Sequence, residues 1–230
     1  MIKAIVFDFD GVLADSEPLH LRAYQQVLSR FGVEFSREDY YANYLGYDDE
    51  GVFTQLGERH GIPLDSAGVR TLIDEKTRIF DTSIESGIES GDILYPGAAA
   101  CVELMASRYP LGIASGALRH EIEAILRGAR LDGHFRFIVA SGDTPEGKPA
   151  PDPYRRAAAL HGADPAQCIA IEDSRWGIAS AKAAGLACIG ITQTYQASEL
   201  TAADAVIASL DEFTAELIRA IDRERADGLR

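Results

Sequence analysis

The chain has 230 residues, 47% hydrophobic and 25% charged, the balance of a folded globular protein with one large core or a core plus an accessory domain. Lys and Arg total 22 against 36 Asp and Glu, and a net charge of −14 repels nucleic acid and anionic lipid, which excludes both as expected partners. Cys101, Cys168 and Cys188 lack metal-ligand spacing and read as buried free thiols of a reducing compartment, while the first apolar run, Ile2 to Phe7, is too short to span a membrane and lacks a signal-peptide cleavage pattern, so a cytoplasmic location is expected.

Ala4 to Phe7 is a short β-branched and apolar run that predicts a buried strand. From Ser16 to about Ile88 the pattern becomes helical with no convincing strand. Leu19, Ala23, Val27 and Phe31 recur every four residues and predict one face of a first helix. Further helices are expected at Ser36 to Tyr44, Asp48 to His60 and Asp65 to Ser83, with Ser36 and Asp65 suited to N-caps. Hinges are expected near Ala14 to Glu17 and near Ser86 to Gly91, where Gly and Ser accumulate.

Beyond this insertion strands and helices alternate. Strands are predicted at Leu111 to Ala114, Ile169 to Ile171 and Ala187 to Ile191, with weaker ones at Phe135 to Ala140 and Ala205 to Ile207. Helices are predicted at Ala98 to Arg108, Arg119 to Arg127, Tyr154 to His161 and Gly177 to Ala184. Phe213, Leu217 and Ile221 form the stripe of a closing helix. The expected fold class is α/β, a doubly wound parallel sheet from residues 1–15 and 89–230 with an inserted α-helical domain over 16–88.

Chemistry-bearing residues cluster where strands end, at the sheet edge where open α/β folds bind ligands. Asp8-Phe9-Asp10-Gly11 follows the first strand. Two carboxylates one residue apart either cap a turn or repel each other until a cation or proton joins them, and Gly11 lets the backbone turn sharply. Ser115 and Gly116 follow the next strand, and are either a plain N-cap or donors to phosphate oxygens at a helix start. Lys148, in Gly147-Lys148-Pro149-Ala150-Pro151-Asp152-Pro153, is either a solvated surface Lys or a cation aimed inward by a stiff loop whose prolines forbid extended helix before Tyr154. Glu172-Asp173-Ser174 ends another strand and begins a helix, where N-capping competes with metal binding. Four strand ends that all carry phosphate or metal chemistry are much less probable by chance than any one of them.

Together these segments resemble the four motifs of the haloacid dehalogenase-like superfamily, in its subgroup with a helical cap after the first motif and a Rossmann-like core. The resemblance covers essentially the whole chain. It implies that Asp8 is a nucleophile that becomes phosphorylated, that Asp10 is the general acid and base, and that Ser115 and Lys148 bind the transferring phosphoryl group, beside Gly11 and Gly116. It implies Mg²⁺ held by Asp8, the Asp10 carbonyl and Asp173, with Glu172 a direct or indirect partner. A phosphate dianion would otherwise be excluded from so anionic a site. Asp10 is absent from true dehalogenases, which argues against dehalogenation.

Asp15-Ser16, His20 and Glu172-Asp173-Ser174 with Gly177 resemble the β-phosphoglucomutase-like branch, which holds both sugar-phosphate mutases and phosphatases. There His20 resembles a residue that couples cap closure to chemistry. Lys76 also falls where the mutases carry a Lys, and as a solitary match reads more as a surface charge. In Leu45-Gly46-Tyr47-Asp48-Asp49-Glu50 the mutases usually carry Arg at the position of Asp49, to grip a second phosphate, and an acidic trio would repel it. Tyr47 either faces the site or packs in the cap, and Arg119 either adds a cation or decorates a helix surface.

The expected function is therefore a Mg²⁺-dependent phosphatase of a small phosphomonoester such as a sugar phosphate or phosphoglycolate. The partner is a small phosphorylated metabolite, and a monomer is favoured. The alternatives are a sugar-phosphate mutase, a receiver-like domain, or an inactive phosphate-binding module.

Overall fold

The computed structural model of the chain describes residues 1–44, 47, 49–90 and 93–227. The chain forms two compact units, Met1–Asp15 with Ile88–Arg230, and Ser16–Gly87.

The larger unit holds a parallel sheet of six strands, β1 (Ala4–Phe7), β2 (Leu111–Ala114), β3 (Phe135–Val139), β4 (Cys168–Glu172), β5 (Ala187–Ile191) and β6 (Ala205–Ile207), in the order β3-β2-β1-β4-β5-β6. Strand order reverses between β1 and β4, which is where such a sheet opens a crevice at its carboxyl edge. In the register Phe7 lies beside both Ile113 and Ile171, so the residues that follow these strands emerge together. β1, β2, β4 and β5 are buried throughout, which is why they read as continuous apolar runs rather than alternating ones.

Writing the helices of the smaller unit as α1 (Glu17–Ser29), α2 (Arg37–Asn43), α3 (Asp49–His60) and α4 (Ser66–Ser90), those of the larger unit are α5 (Ala98–Ala106), α6 (Arg119–Gly128), α7 (Asp152–His161), α8 (Arg175–Ala184) and α9 (Ala215–Asp227). α7 begins two residues before the predicted Tyr154, because Pro153 falls in its first turn, where a missing N–H costs nothing. α8 likewise starts early, capped by the Ser174 side chain, which accepts from the Gly177 N–H at 3.0 Å. In α9 the buried stripe is Ala215, Ile218 and Ile221. Phe213 is buried in the turn before the helix rather than in its stripe.

The smaller unit has its own core of Tyr24, Val27, Leu28, Phe35, Tyr40, Phe53, Leu56 and Leu72, among others. Ser36 caps α2 by accepting from Asp39 N–H at 3.0 Å, and Asp65 accepts from Gly68 N–H at 2.8 Å before α4. Leu19, Ala23 and Val27 are buried as the four-residue spacing predicts. Phe31 is not: α1 stops at Ser29, and the turn that follows leaves Phe31 39% exposed, with the Arg30 guanidinium 5.1 Å from its ring. α4 also differs from expectation, since the Ser- and Gly-containing stretch from Ser86 continues as helix to Ser90. Gly91 of that expected hinge lies outside the described residues, as do Leu45, Gly46 and Asp48 of the acidic loop.

No helix among the described residues is long and apolar enough to cross a membrane. The three cysteines are buried and free, and burial pushes Cys101 up to about 12 and Cys168 up to about 11, so neither forms a thiolate readily.

Candidate active site

In the larger unit the ends of β1 and β4 bring Asp8, Glu172 and Asp173 together. All three are buried, and one carboxylate oxygen from each lies within 4.8 Å of the others. Asp8 is placed by its backbone N–H, which donates to the Ile171 carbonyl at 3.0 Å as a continuation of the β1–β4 ladder. Gly11 then turns with φ +74°, and a Cβ there would overlap the Asp173 carboxylate and approach the Thr194 hydroxyl, so only glycine fits. Gly177 serves Glu172 in the same way, since a Cβ would overlap its carboxylate.

Lys148 reaches into this cluster from the proline-rich loop, its side chain 13% exposed. Its Nζ lies 2.8 Å from Asp8 Oδ1 and 2.6 Å from Glu172 Oε1. The surface alternative for Lys148 is thereby removed. Burial opposes its charge, but Asp8 and Glu172 outweigh burial and hold the ammonium above its usual pKa. Although the distance to Asp8 Oδ1 is that of an ion pair, Oδ1 is buried and accepts no aligned hydrogen bond among the described residues.

The carboxylates remain in excess. Burial, then the charges of Asp8 and Glu172, push Asp173 well above the usual range, against a weaker pull from the Thr194 hydroxyl and Lys148. Burial, then Asp8, likewise raise Glu172, opposed by Lys148 and Tyr154. Three buried carboxylates against one ammonium are the donor set of a hard divalent cation such as Mg²⁺, and the site fits one.

Asp10 is half-buried in the turn after β1 and forms a bridge with Ala14. Its side chain is not part of the three-carboxylate group. Ser115 is buried at the end of β2, with its N–H donating to Val139 carbonyl at 2.9 Å and its Oγ accepting from Ala117 N–H at 3.1 Å. It is not the N-cap of α6, whose cap is Leu118, so the capping alternative fails and its hydroxyl proton is left to donate elsewhere. Gly116 is exposed, with open space beside its Cα.

His20 belongs to the smaller unit, where its ring stacks on Phe80 with centroids 3.9 Å apart and its Nδ1 lies 2.8 Å from Lys76 Nζ. Burial, then Lys76, lower its pKa well below 6.5, so the ring is neutral and Nδ1 accepts from the ammonium. Lys76 is 3% exposed, not a surface charge: it pairs with Asp49 Oδ1 at 2.9 Å and sits against the Tyr24 and Phe80 rings. The Tyr24 hydroxyl donates to the same Asp49 oxygen at 2.5 Å. Tyr47 is 52% exposed, and Arg119 is exposed and paired with Asp143, which is the surface reading.

Sequence reasoning missed three participants. Tyr154, fully buried on α7, donates to Glu172 Oε1 at 2.6 Å. The Thr194 hydroxyl lies with the Asp173 carboxylate beside Gly11 and opposes the rise in that carboxylate's pKa. Gln193, in the amide orientation that satisfies its neighbours, donates to the Gly11 carbonyl at 2.6 Å and the Val12 carbonyl at 3.1 Å. Gln193 and Thr194 follow the end of β5 at Ile191, so extending the strand-end rule to the fifth strand finds them. Tyr154 carries no such signal.

The chain matches the haloacid dehalogenase-like hydrolase family over residues 2–185. It is 33% identical over 210 residues to protein CbbY of Rhodobacter capsulatus, covering 88% of this chain and 91% of that one. It is 32% identical over 218 residues to hexitol phosphatase B of Escherichia coli K12, covering 94% and 96%. The crystal structure of CbbY from Rhodobacter sphaeroides in complex with phosphate superimposes with a TM-score of 0.76 at 30% identity, covering 92% of this chain and 96% of that one. A parallel sheet with carboxylates at the reversal of strand order, together with these relationships, makes the chain a member of the haloacid dehalogenase-like hydrolase family.

Proposed function

We propose that the protein is a Mg²⁺-dependent phosphatase that hydrolyses a small phosphomonoester through an aspartyl phosphate on Asp8. The observation that carries this reading is the setting of Asp8: a buried carboxylate grouped with those of Glu172 and Asp173 and paired with Lys148 at 2.8 Å. A nucleophile so placed has beside it the carboxylates that would hold a cation and the ammonium that would bind a phosphoryl oxygen.

In this mechanism Lys148 and the Ser115 hydroxyl bind the transferring phosphoryl oxygens, with the backbone of Gly11 and Gly116 alongside. Asp8 attacks phosphorus, the ester oxygen leaves with a proton from Asp10, and Asp10 then takes a proton from the water that hydrolyses the aspartyl phosphate. The carboxylates of Asp8 and Asp173 and the carbonyl of Asp10 would hold Mg²⁺, with Glu172 at its margin. When bound, the ion offsets the charge of the carboxylates and of the phosphoryl group.

Substrate choice is assigned to the helical unit, whose first helix carries His20. There Lys76 is paired with Asp49 at 2.9 Å, so its charge is already neutralised and is not available to a second phosphate. This favours a substrate with one phosphate, and the similarity to a hexitol phosphatase points to a sugar or polyol phosphate. The sugar-phosphate mutases that the chain resembles usually carry the opposite charge at position 49. The test is phosphate release from a panel of monoesters with and without Mg²⁺, beside a coupled assay for glucose 6-phosphate from β-glucose 1-phosphate. Metal-dependent release is expected. Glucose 6-phosphate with little free phosphate would overturn the reading in favour of the mutase.

A further inference from the structure

Glu172 is 0% exposed, and its two oxygens are more thoroughly engaged than those of its neighbours. Oε1 accepts from Lys148 Nζ and from the Tyr154 hydroxyl, each at 2.6 Å, and Oε2 accepts from the Ser174 hydroxyl at 3.2 Å. Gly177 leaves the room the carboxylate occupies. A carboxylate with such partners is held in one rotamer, whereas Lys148 is a flexible stem whose ammonium could adopt several positions. Its Nζ also lies 5.2 Å from the centroid of the Tyr154 ring. The ring and the hydroxyl of one side chain thus bound Lys148 from two directions, through π-contact and through the shared Glu172 oxygen.

Tyr154 itself has no freedom to adjust. It is fully buried on α7 within the sheet core of Val6, Ala114, Val139, Ala170 and Ile178. A buried phenol needs an acceptor, and this one is aimed at the site and not at the backbone. We infer that Tyr154 is a positioning residue for phosphoryl transfer: its hydroxyl fixes Glu172, and Glu172 with the Tyr154 ring aims Lys148 at the phosphoryl group carried by Asp8. The inference rests on the phosphatase reading above. It assigns Glu172 first to Lys148, with metal binding secondary, and it predicts that losing one hydroxyl remote from the substrate acts through Lys148 alone.

The test is a double-mutant cycle of wild type, Tyr154→Phe, Lys148→Met and the pair, assayed with Mg²⁺ on the ester the wild type prefers, with kcat and KM separated and a thermal melt for each. Tyr154→Phe is expected to melt cooperatively, to lower kcat about 10- to 100-fold with little change in KM, and to add almost nothing once Lys148 is gone. Losses that multiply in the pair, or that fall on KM alone, overturn the inference, because a merely structural tyrosine would give them. A wild type inactive on every ester overturns the phosphatase reading and this inference with it. An active wild type and an equally active Tyr154→Phe overturn the positioning role alone. Should Tyr154→Phe fail to fold, a crystal structure of the wild type with inorganic phosphate and Mg²⁺ decides: Lys148 on a phosphate oxygen with the Tyr154–Glu172 bond intact supports the role, and Lys148 turned from the phosphate or Tyr154 turned from Glu172 contradicts it.

Discussion

Each unit buries a lysine against a carboxylate, and the two arrangements differ in whether the charges balance. In the helical unit Lys76 pairs with one carboxylate among the described residues, Asp49, which also accepts from the Tyr24 hydroxyl, and it lies beside a neutral His20 and the Tyr24 and Phe80 rings. In the sheet unit Lys148 faces Asp8 and Glu172 with Asp173 close behind, and burial first, then the charges of Asp8 and Glu172, raise Asp173. A buried charge cluster that closes on itself serves the structure it sits in. One left unbalanced is poised for a ligand that completes it, here a cation and a phosphoryl group.

The largest effect expected from disturbing this contrast is on turnover. Asp8→Asn should lower kcat on the order of 10⁴-fold or more while raising the melting temperature, since it deletes the nucleophile and one of three repelling carboxylates together. Steady-state kinetics and a thermal melt of the same sample measure both. A variant that is inactive and also less stable would mean the carboxylates were already balanced.

In the helical unit the same kind of change should cost stability instead. Asp49→Ala leaves Lys76 buried without its carboxylate and is expected to destabilise by about 3–5 kcal/mol in urea unfolding. Replacing both partners with apolar residues, Lys76→Met with Asp49→Leu, should restore most of that loss. Should the double variant remain as unstable as Asp49→Ala, the pair is not the self-contained element described.

Mg²⁺ sharpens the comparison from the other side. At roughly 100 times its Kd it should stabilise the protein by about 2.7 kcal/mol, and Asp8→Asn or Asp173→Asn should erase much of that gain while Asp49→Ala leaves it intact. Melting curves with Mg²⁺ and with a chelator are sufficient. A gain that survives loss of Asp173 would place the ion elsewhere.

The smallest effect concerns His20. Its folded-state pKa lies below its ordinary value of 6.5 because of burial and Lys76. Below pH 6.5 the unfolded chain therefore takes up a proton that the folded ring refuses. Stability contributed by neutral His20 is complete above pH 6.5 and is lost as pH falls, with a slope of at most about 1.4 kcal/mol per pH unit. His20→Gln should flatten that part of the stability profile. An unchanged slope would mean that His20 titrates as it does in the unfolded chain.

The sheet was largely legible because its strands announce themselves: Ala4–Phe7, Leu111–Ala114, Ala187–Ile191 and Ala205–Ile207 lie where their apolar runs place them. So was the placement of Asp8, Ser115, Glu172 and Asp173 at strand ends, which needs only the local rule that a parallel strand delivers its next residue to one edge. Periodicity carried less well where a helix ended before its pattern did, as at Phe31, or ran past residues with poor helix propensity, as at Ser86 to Ser90. Lys76 and Tyr154 were illegible for another reason. A lysine on a helix reads as solvated and a tyrosine as core, and only tertiary packing supplies Asp49 to the first and Glu172 to the second.

The most direct measurement of the central claim is peptide mass spectrometry of the Asp10→Asn variant, acid-quenched soon after mixing with Mg²⁺ and an aryl phosphate ester, whose phenolate leaves without a proton from Asp10. With the general base gone, the intermediate should accumulate, and a phosphoryl increment is predicted on the peptide that carries Asp8, absent from Asp8→Asn. An increment on another residue, or none while the wild type turns the same ester over, would contradict the aspartyl-phosphate account.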